Sequence, residues 1–210
     1  MSKLYFKFGA MGSSKTANAL MTRFNYLEKN HSVWLIKPQT DTRDDYTDES
    51  GKIVTVVKSR IGLEAPANVI KDNADITELF KTASADIVIN DTVVKTQKID
   101  VIICDECQFF TEDQIDQLKY IAENENVPVI CFGLRSDFRT KLFPGSKRLF
   151  EIADSITEVK SICECGKKAI VNARFDGNGN IVTDGAQVEI GGNEKYKSMC
   201  WSCWQKLINE

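Results

Sequence analysis

Apolar and polar side chains alternate from Leu4 to Phe8, the two-residue period of a strand. After a glycine-containing loop, Ala17, Leu20, Met21, Phe24 and Leu27 recur at helical intervals. This spacing predicts an amphipathic helix from Lys15 to about Lys29. Val33-Trp-Leu-Ile36 is a continuous apolar run closed by Pro38, a buried strand and its stop. Strand, loop, helix and strand make one βαβ unit, which implies a parallel sheet.

Residues 40–50 are polar and acidic, and a mobile loop is expected there. Ile53 to Val57 and Ile87 to Ile89 are strand candidates, with a polar helical stretch near Asp75 to Ala83 between them. Val101-Ile-Ile-Cys104 is a second buried strand, stopping at Asp105. Thr111 with Gln114 three residues on matches a capping box, so a helix is predicted from Glu112 to about Asn124. Val127 to Leu134 is the next buried strand. Near residue 157 the helical periodicity fades and glycines gather at 166, 177, 179, 185, 191 and 192. The expected organisation is an α/β domain over 1–156, mainly parallel and flanked by helices, and a small unit over 157–210. Within the latter, Ala169 to Ile190 reads as an extended β excursion turning at Asp176-Gly-Asn-Gly-Asn180. Neither an internal repeat nor a low-complexity tract is present.

A chain of 210 residues with 42% apolar side chains has enough material for one full core and a small appendage. Its 27 basic and 30 acidic residues give a net charge of −3, which argues against a dedicated nucleic-acid binder. No apolar stretch approaches the roughly 20 residues of a membrane span, and the first residues lack a signal-peptide core. Seven cysteines without an export signal indicate a reducing compartment, the cytoplasm, where thiols bind metal or fill cores.

Gly9-Ala10-Met11-Gly12-Ser13-Ser14-Lys15-Thr16 sits between strand and helix, where a phosphate loop must be. Backbone N–H groups at a helix N-terminus face an anion. Lys15 would reach the β and γ phosphates, and the Thr16 hydroxyl a Mg²⁺ ion. Ser14 stands where the pattern has its second glycine; it can still donate its N–H if the backbone avoids positive φ. A polar turn before a helix is the plainer reading of the same residues. The run ending in Asp105 is how such folds hold a nucleotide's magnesium. Adjacent residues at a strand end diverge, so Asp105 could face the metal while Glu106 serves a second substrate as general base. The alternative is a pair of solvated carboxylates.

Cys104 and Cys107 have a redox-like spacing without a thioredoxin-type context, and Cys131 lies in an apolar strand, so core roles are expected. The single histidine, His31, falls in a turn, which leaves any general base to a carboxylate. Cys163/Cys165 and Cys200/Cys203 form two close pairs across a long loop, the pattern of a four-thiolate structural zinc; free thiols in a small domain are the plainer alternative. The Cys163–Cys165 pair is one residue tighter than usual.

These pieces together resemble the cellular, zinc-containing thymidine kinases, the type II family. The carriers are residues 9–16, Asp-Thr-Arg at 41–43, Asp-Glu-Cys-Gln-Phe-Phe at 105–110, Gly-Leu-Arg-Ser-Asp-Phe at 133–138, Val-Glu-Ile-Gly-Gly-Asn-Glu-Lys-Tyr at 188–196 and the cysteine pairs. Their order and spacing cover nearly the whole chain. The resemblance implies transfer of the ATP γ-phosphoryl group to the 5′-hydroxyl of thymidine or deoxyuridine, in pyrimidine deoxynucleoside salvage. It implies ATP contacts from the phosphate loop, Asp41, Thr42, Arg43, Asp105, Glu106, Cys107 and Gln108. Glu106 would be the catalytic base, with Mg²⁺ near Thr16 and Asp105. Phe138, Met11 and Phe143 would shape the thymine pocket. Gln187, Val188, Glu189, Ile190, Gly191 and Tyr196 would close over the nucleoside as a lasso anchored by zinc. A homotetramer is expected. Only seven residues follow Cys203, so little room is expected for a C-terminal regulatory tail.

Two other classes fit parts of the chain. A zinc-ribbon ATPase acting on nucleic acid would carry a basic stripe, against the mildly acidic balance. A nucleotide-binding regulatory module would not need Glu106.

Overall fold

The computed structural model describes residues 2–51, 53–189 and 195–209. Its main sheet has the order Ser155–Glu158, Leu4–Gly9, Val129–Leu134, Val101–Cys104, Val33–Pro38, Ala85–Ile89, Thr92–Thr96, and Asn68–Ile70 also pairs with Val33–Pro38. The first five strands and Asn68–Ile70 are joined in parallel, while Ala85–Ile89 pairs antiparallel with Val33–Pro38 and Thr92–Thr96 antiparallel with Ala85–Ile89. Val33–Pro38 and Val101–Cys104 are buried at every position, as a sheet covered on both faces requires.

The period of two sorts the side chains between those faces. Val101, Ile103, Val33 and Leu35 pack with Ala19, Leu20 and Leu27 of the Lys15–Leu27 helix. Ile102, Cys104, Trp34 and Ile36 pack on the other face with Ile115, Leu118 and Ile121 of the Glu112–Asn124 helix and Leu149 of the Pro144–Ile152 helix. The Thr111–Gln114 capping box forms as expected.

Several boundaries differ from the sequence expectation. The first helix ends at Leu27 because the chain turns back through Asn30 at φ 57°. Val127 and Pro128 precede the strand, which begins at Val129. The segment expected as one strand from Ile53 to Val57 divides between two hairpins, Tyr46–Thr47 with Ile53–Val54 and Val56–Lys58 with Glu64–Pro66. Ala85–Ile89 is longer than expected and turns through Asn90 and Asp91, both at positive φ, into Thr92–Thr96. The Pro144–Ile152 and Trp201–Asn209 helices and the Ser155–Glu158 strand were not anticipated. The change of texture at residue 157 falls inside that strand.

Beyond it, Val171–Phe175 pairs with both Ile181–Val182 and Tyr196–Met199 in a three-stranded antiparallel sheet, with the turn over 176–180 as expected. No helix among the described residues is long and apolar enough to cross a membrane.

Candidate active site

Parallel strands end together, and α/β sheets bind ligands outside their carboxyl ends. Here four such ends, Gly9, Cys104, Leu134 and Pro38, bring residues 10–14, 105–108, 135–143 and 39–45 to one edge. The phosphate-type loop needs its glycines. A Cβ on Gly9 would stand 2.3 Å from Val159 O, and Gly12 adopts φ 71°. Ser14 also adopts positive φ, 61°. The backbone does not avoid positive φ at this serine: it takes the left-handed cap that a glycine would adopt freely.

Lys15 is buried and turns back onto the loop, donating to Ala10 O at 2.9 Å and Ser13 Oγ at 3.3 Å. Burial lowers its pKa, against the pull of Glu106 and Asp105. The lysine and both acids thus share one electrostatic neighbourhood.

The adjacent acids diverge as expected. Asp105 is 4% exposed. Burial and the charge of Glu106 raise its carboxyl to about 7, against a hydrogen bond from Thr16. Glu106, at φ 49°, is also desolvated, yet Arg43 and Lys15 outweigh burial and lower its pKa. Arg43 donates to Glu106 Oε1 at 2.5 Å and Asp41 Oδ1 at 2.7 Å. Gln108 donates to Glu106 Oε2 at 2.6 Å and accepts from Leu134 N at 2.9 Å. Glu106 is thus held ionised and oriented from both oxygens.

Lys37 extends this network. It is fully buried, donates to Asp45 Oδ1 at 2.8 Å and Val56 O at 3.0 Å, and lies 3.7 Å from Asp41. It was missed because Val33–Pro38 was read for its apolar run alone, although a charge at a strand's carboxyl end is itself a signal.

A narrow cleft with about 60 Å³ of free space opens beside Glu106. Met11, Phe138, Phe143, Gln187, Val188, Glu189 and Tyr196 line it, together with Asp41 and Arg43. Ile190 and Gly191 lie outside the described residues. Phe109, Leu134, Asp137 and Asn172 line it too and were not anticipated. Asn172 carries no motif; its amide accepts from Met11 N and donates to Ser136 O, both at 2.8 Å. Thr42 is exposed, and its carbonyl accepts from Asp45 N at 3.3 Å. Cys107 is fully buried with Cys104 and Cys131 in the core, and its side chain does not line the cleft.

The four sulfurs of Cys163, Cys165, Cys200 and Cys203 lie within 4.8 Å of one another. That clustering suits a tetrahedral zinc with bonds of about 2.3 Å, and the tight Cys163–Cys165 spacing does not prevent it. Cys163 and Cys200 pack against Ala10 of the phosphate-type loop, so this cluster buttresses the cradle directly.

Comparison with known proteins agrees with this geometry. Residues 2–204 match the family described as Thymidine kinase. The thymidine kinase of Enterobacteria phage T4 is 42% identical over 210 residues, covering 100% of this chain and 99% of the phage protein. Thymidine kinases of Photorhabdus laumondii and Rhizobium meliloti are each 39% identical over 210 residues, covering 100% of this chain and 96% and 100% of those proteins respectively. The chain belongs to the thymidine kinase family.

Proposed function

We propose that the chain is an ATP-dependent kinase that transfers the γ-phosphoryl group to the 5′-hydroxyl of thymidine, and of deoxyuridine, for pyrimidine deoxynucleoside salvage. One observation carries this reading: an ionised, doubly held Glu106 stands between the lysine-tipped phosphate loop and an apolar cleft lined by Phe109, Phe138 and Phe143. Phosphoryl transfer needs positioning and charge neutralisation more than covalent chemistry. The N–H groups of residues 12–16 and the Lys15 ammonium hold the donor phosphates, with Asp41, Thr42, Arg43 and Gln108 beside them. Glu106 accepts the proton of the attacking hydroxyl. Phe138, Phe143 and Met11 surround the pyrimidine, while Gln187, Val188, Glu189 and Tyr196 close over it and exclude water.

The hydroxyl of Thr16 and the carboxyl of Asp105, near enough for the hydroxyl to favour the ionised acid, form an all-oxygen donor pair that fits Mg²⁺. When bound with ATP, that ion neutralises phosphate charge. Zinc on the four thiolates would be structural, closing the base of the lasso. Residues 157–210 would then form the unit that closes over the nucleoside bound by residues 1–156. A cytoplasmic homotetramer completes the reading; light scattering should give about four times the 23.6 kDa chain mass.

The test is ADP release from ATP with and without thymidine, compared across nucleosides and against RNA. Stimulation by thymidine and deoxyuridine is expected. Stimulation by RNA alone would replace this reading with that of a nucleic-acid ATPase.

A further inference from the structure

Arg174 lies in the Val171–Phe175 strand, is 4% exposed, and is absent from every motif discussed above. Its guanidinium carbon sits 3.7 Å from the centroid of the Phe138 ring. From that stacked position Nη1 donates to Ala186 O at 2.9 Å and Nη2 to Asp184 O at 3.1 Å. The intervening Gly185 adopts φ 122°, and a Cβ there would stand 2.8 Å from Arg174 Nη2. The loop can therefore cross the guanidinium only as glycine. From the other side Arg139 donates to Gly185 O at 3.2 Å while paired with Asp137. Glu189, on the segment that lines the cleft, lies 3.5 Å from Arg174 Nη1.

We propose that Arg174 is a positioning residue that locks the nucleoside lid to the aromatic wall of its pocket. The proposal rests on the reading of Phe138 and residues 187–189 as nucleoside contacts. Phe138 lines the cleft and Arg174 does not, so the cation backs the ring. One planar group thus fixes the ring by its face and the lid by its edge, so both pocket walls reach their bound geometry together. A lysine could supply the charge but not the flat, forked donor set. The Nε–H is buried without a partner among the described residues, a cost that packing alone would avoid by using an apolar side chain. A guanidinium at this position is explained by the two carbonyls and the ring it must serve at once.

The experiment compares wild type with Arg174→Met, Arg174→Lys and Gly185→Ala, each checked for zinc content and thermal unfolding. Steady-state kinetics with thymidine and ATP varied separately should show the thymidine KM raised about tenfold or more, with ATP KM unchanged and kcat altered far less. Arg174→Lys should resemble Arg174→Met rather than wild type. Proteolysis without substrate should cut residues 182–189 faster in all three. If Arg174→Met does not fold, Arg174→Lys and Gly185→Ala carry the test. Unchanged thymidine KM, or equal rises for both substrates, overturns the proposal, as does an unchanged cleavage rate. A wild-type enzyme that ignores thymidine would instead overturn the underlying functional reading, and the proteolysis comparison still judges the clamp.

Discussion

Asp105→Asn should stabilise the free protein, and increasingly so as the pH rises. The Asp105 carboxyl is displaced from 3.8 to about 7, first by burial and then by Glu106. Between those values the folded chain retains a proton that the unfolded chain has released. Stability from this group is therefore full below about pH 4 and is lost as the pH rises through about 7. Each tenfold change in proton binding is worth about 1.4 kcal/mol, so the charged acid costs the native state about 4 kcal/mol above pH 7. Asparagine keeps an oxygen to accept from Thr16 and removes the charge. Urea unfolding of both proteins, without nucleotide or magnesium and without chelator so that zinc stays in place, should show a difference of about 1.5 kcal/mol near pH 5. At about pH 8 the gap should widen to several kcal/mol in favour of the variant. A difference that is flat with pH, or that favours wild type at high pH, would refute the idea that this carboxylate is held under electrostatic strain.

Glu106→Gln should reduce turnover by about 10²- to 10⁴-fold, while calorimetry still detects thymidine binding; retained turnover would remove its role as base. Elemental analysis should find about one zinc per chain, lost in Cys200→Ser. Because Cys200 and Cys163 pack on Ala10, that loss should also raise the ATP KM, and an unchanged ATP KM would show that the cluster does not support the phosphate loop. Ser14→Gly should relieve the left-handed strain at φ 61°. With the strain costing about 1 kcal/mol, melting should rise by about 2–4 °C; a lower melting temperature would contradict the strain.

The parts of the fold that sequence disclosed are those with a local cause. Val101–Cys104 and Val33–Ile36 announce themselves as apolar runs, and the Thr111–Gln114 box fixes a helix start within four residues. Edge elements have no such signature: Ser155–Glu158 is only partly buried and is a strand because Leu4–Gly9 offers it hydrogen bonds. The Pro144–Ile152 helix carried a readable cue, a proline in its first turn, that was not used. In the site, Met11, Asp41, Arg43, Glu106, Phe138, Phe143 and residues 187–189 gather around one cleft, while Cys107 turns into the core. Asn172, Lys37 and Arg174 escaped because each acts on backbone atoms distant in sequence, Met11 N, Val56 O and Ala186 O. Such partners leave no spacing to read. Ser14 is a different case: the other helix caps, Asp75, Thr111 and Phe143, are extended, so its left-handed angle belongs to the phosphate-type loop and not to the helix start.

The environments of the two neighbouring acids also bear on how, in the proposed reaction, a single strand end would serve both substrates. Asp105 and Glu106 are one peptide bond apart, both are desolvated, and each repels the other's charge. The protein resolves that conflict by giving its fixed cation to one of them: Arg43, steadied by Asp41, pairs with Glu106, and Gln108 occupies the other oxygen. Glu106 therefore stays ionised, as a proton acceptor must. Asp105 is left with a neutral hydroxyl partner, Thr16, and a raised pKa. An acid in that condition gains most from a cation brought by the substrate. Environments that push two carboxyl groups apart in this way assign them different tasks. Exchanging their partners, by neutralising Arg43 or adding a lysine beside Asp105, should weaken both tasks together.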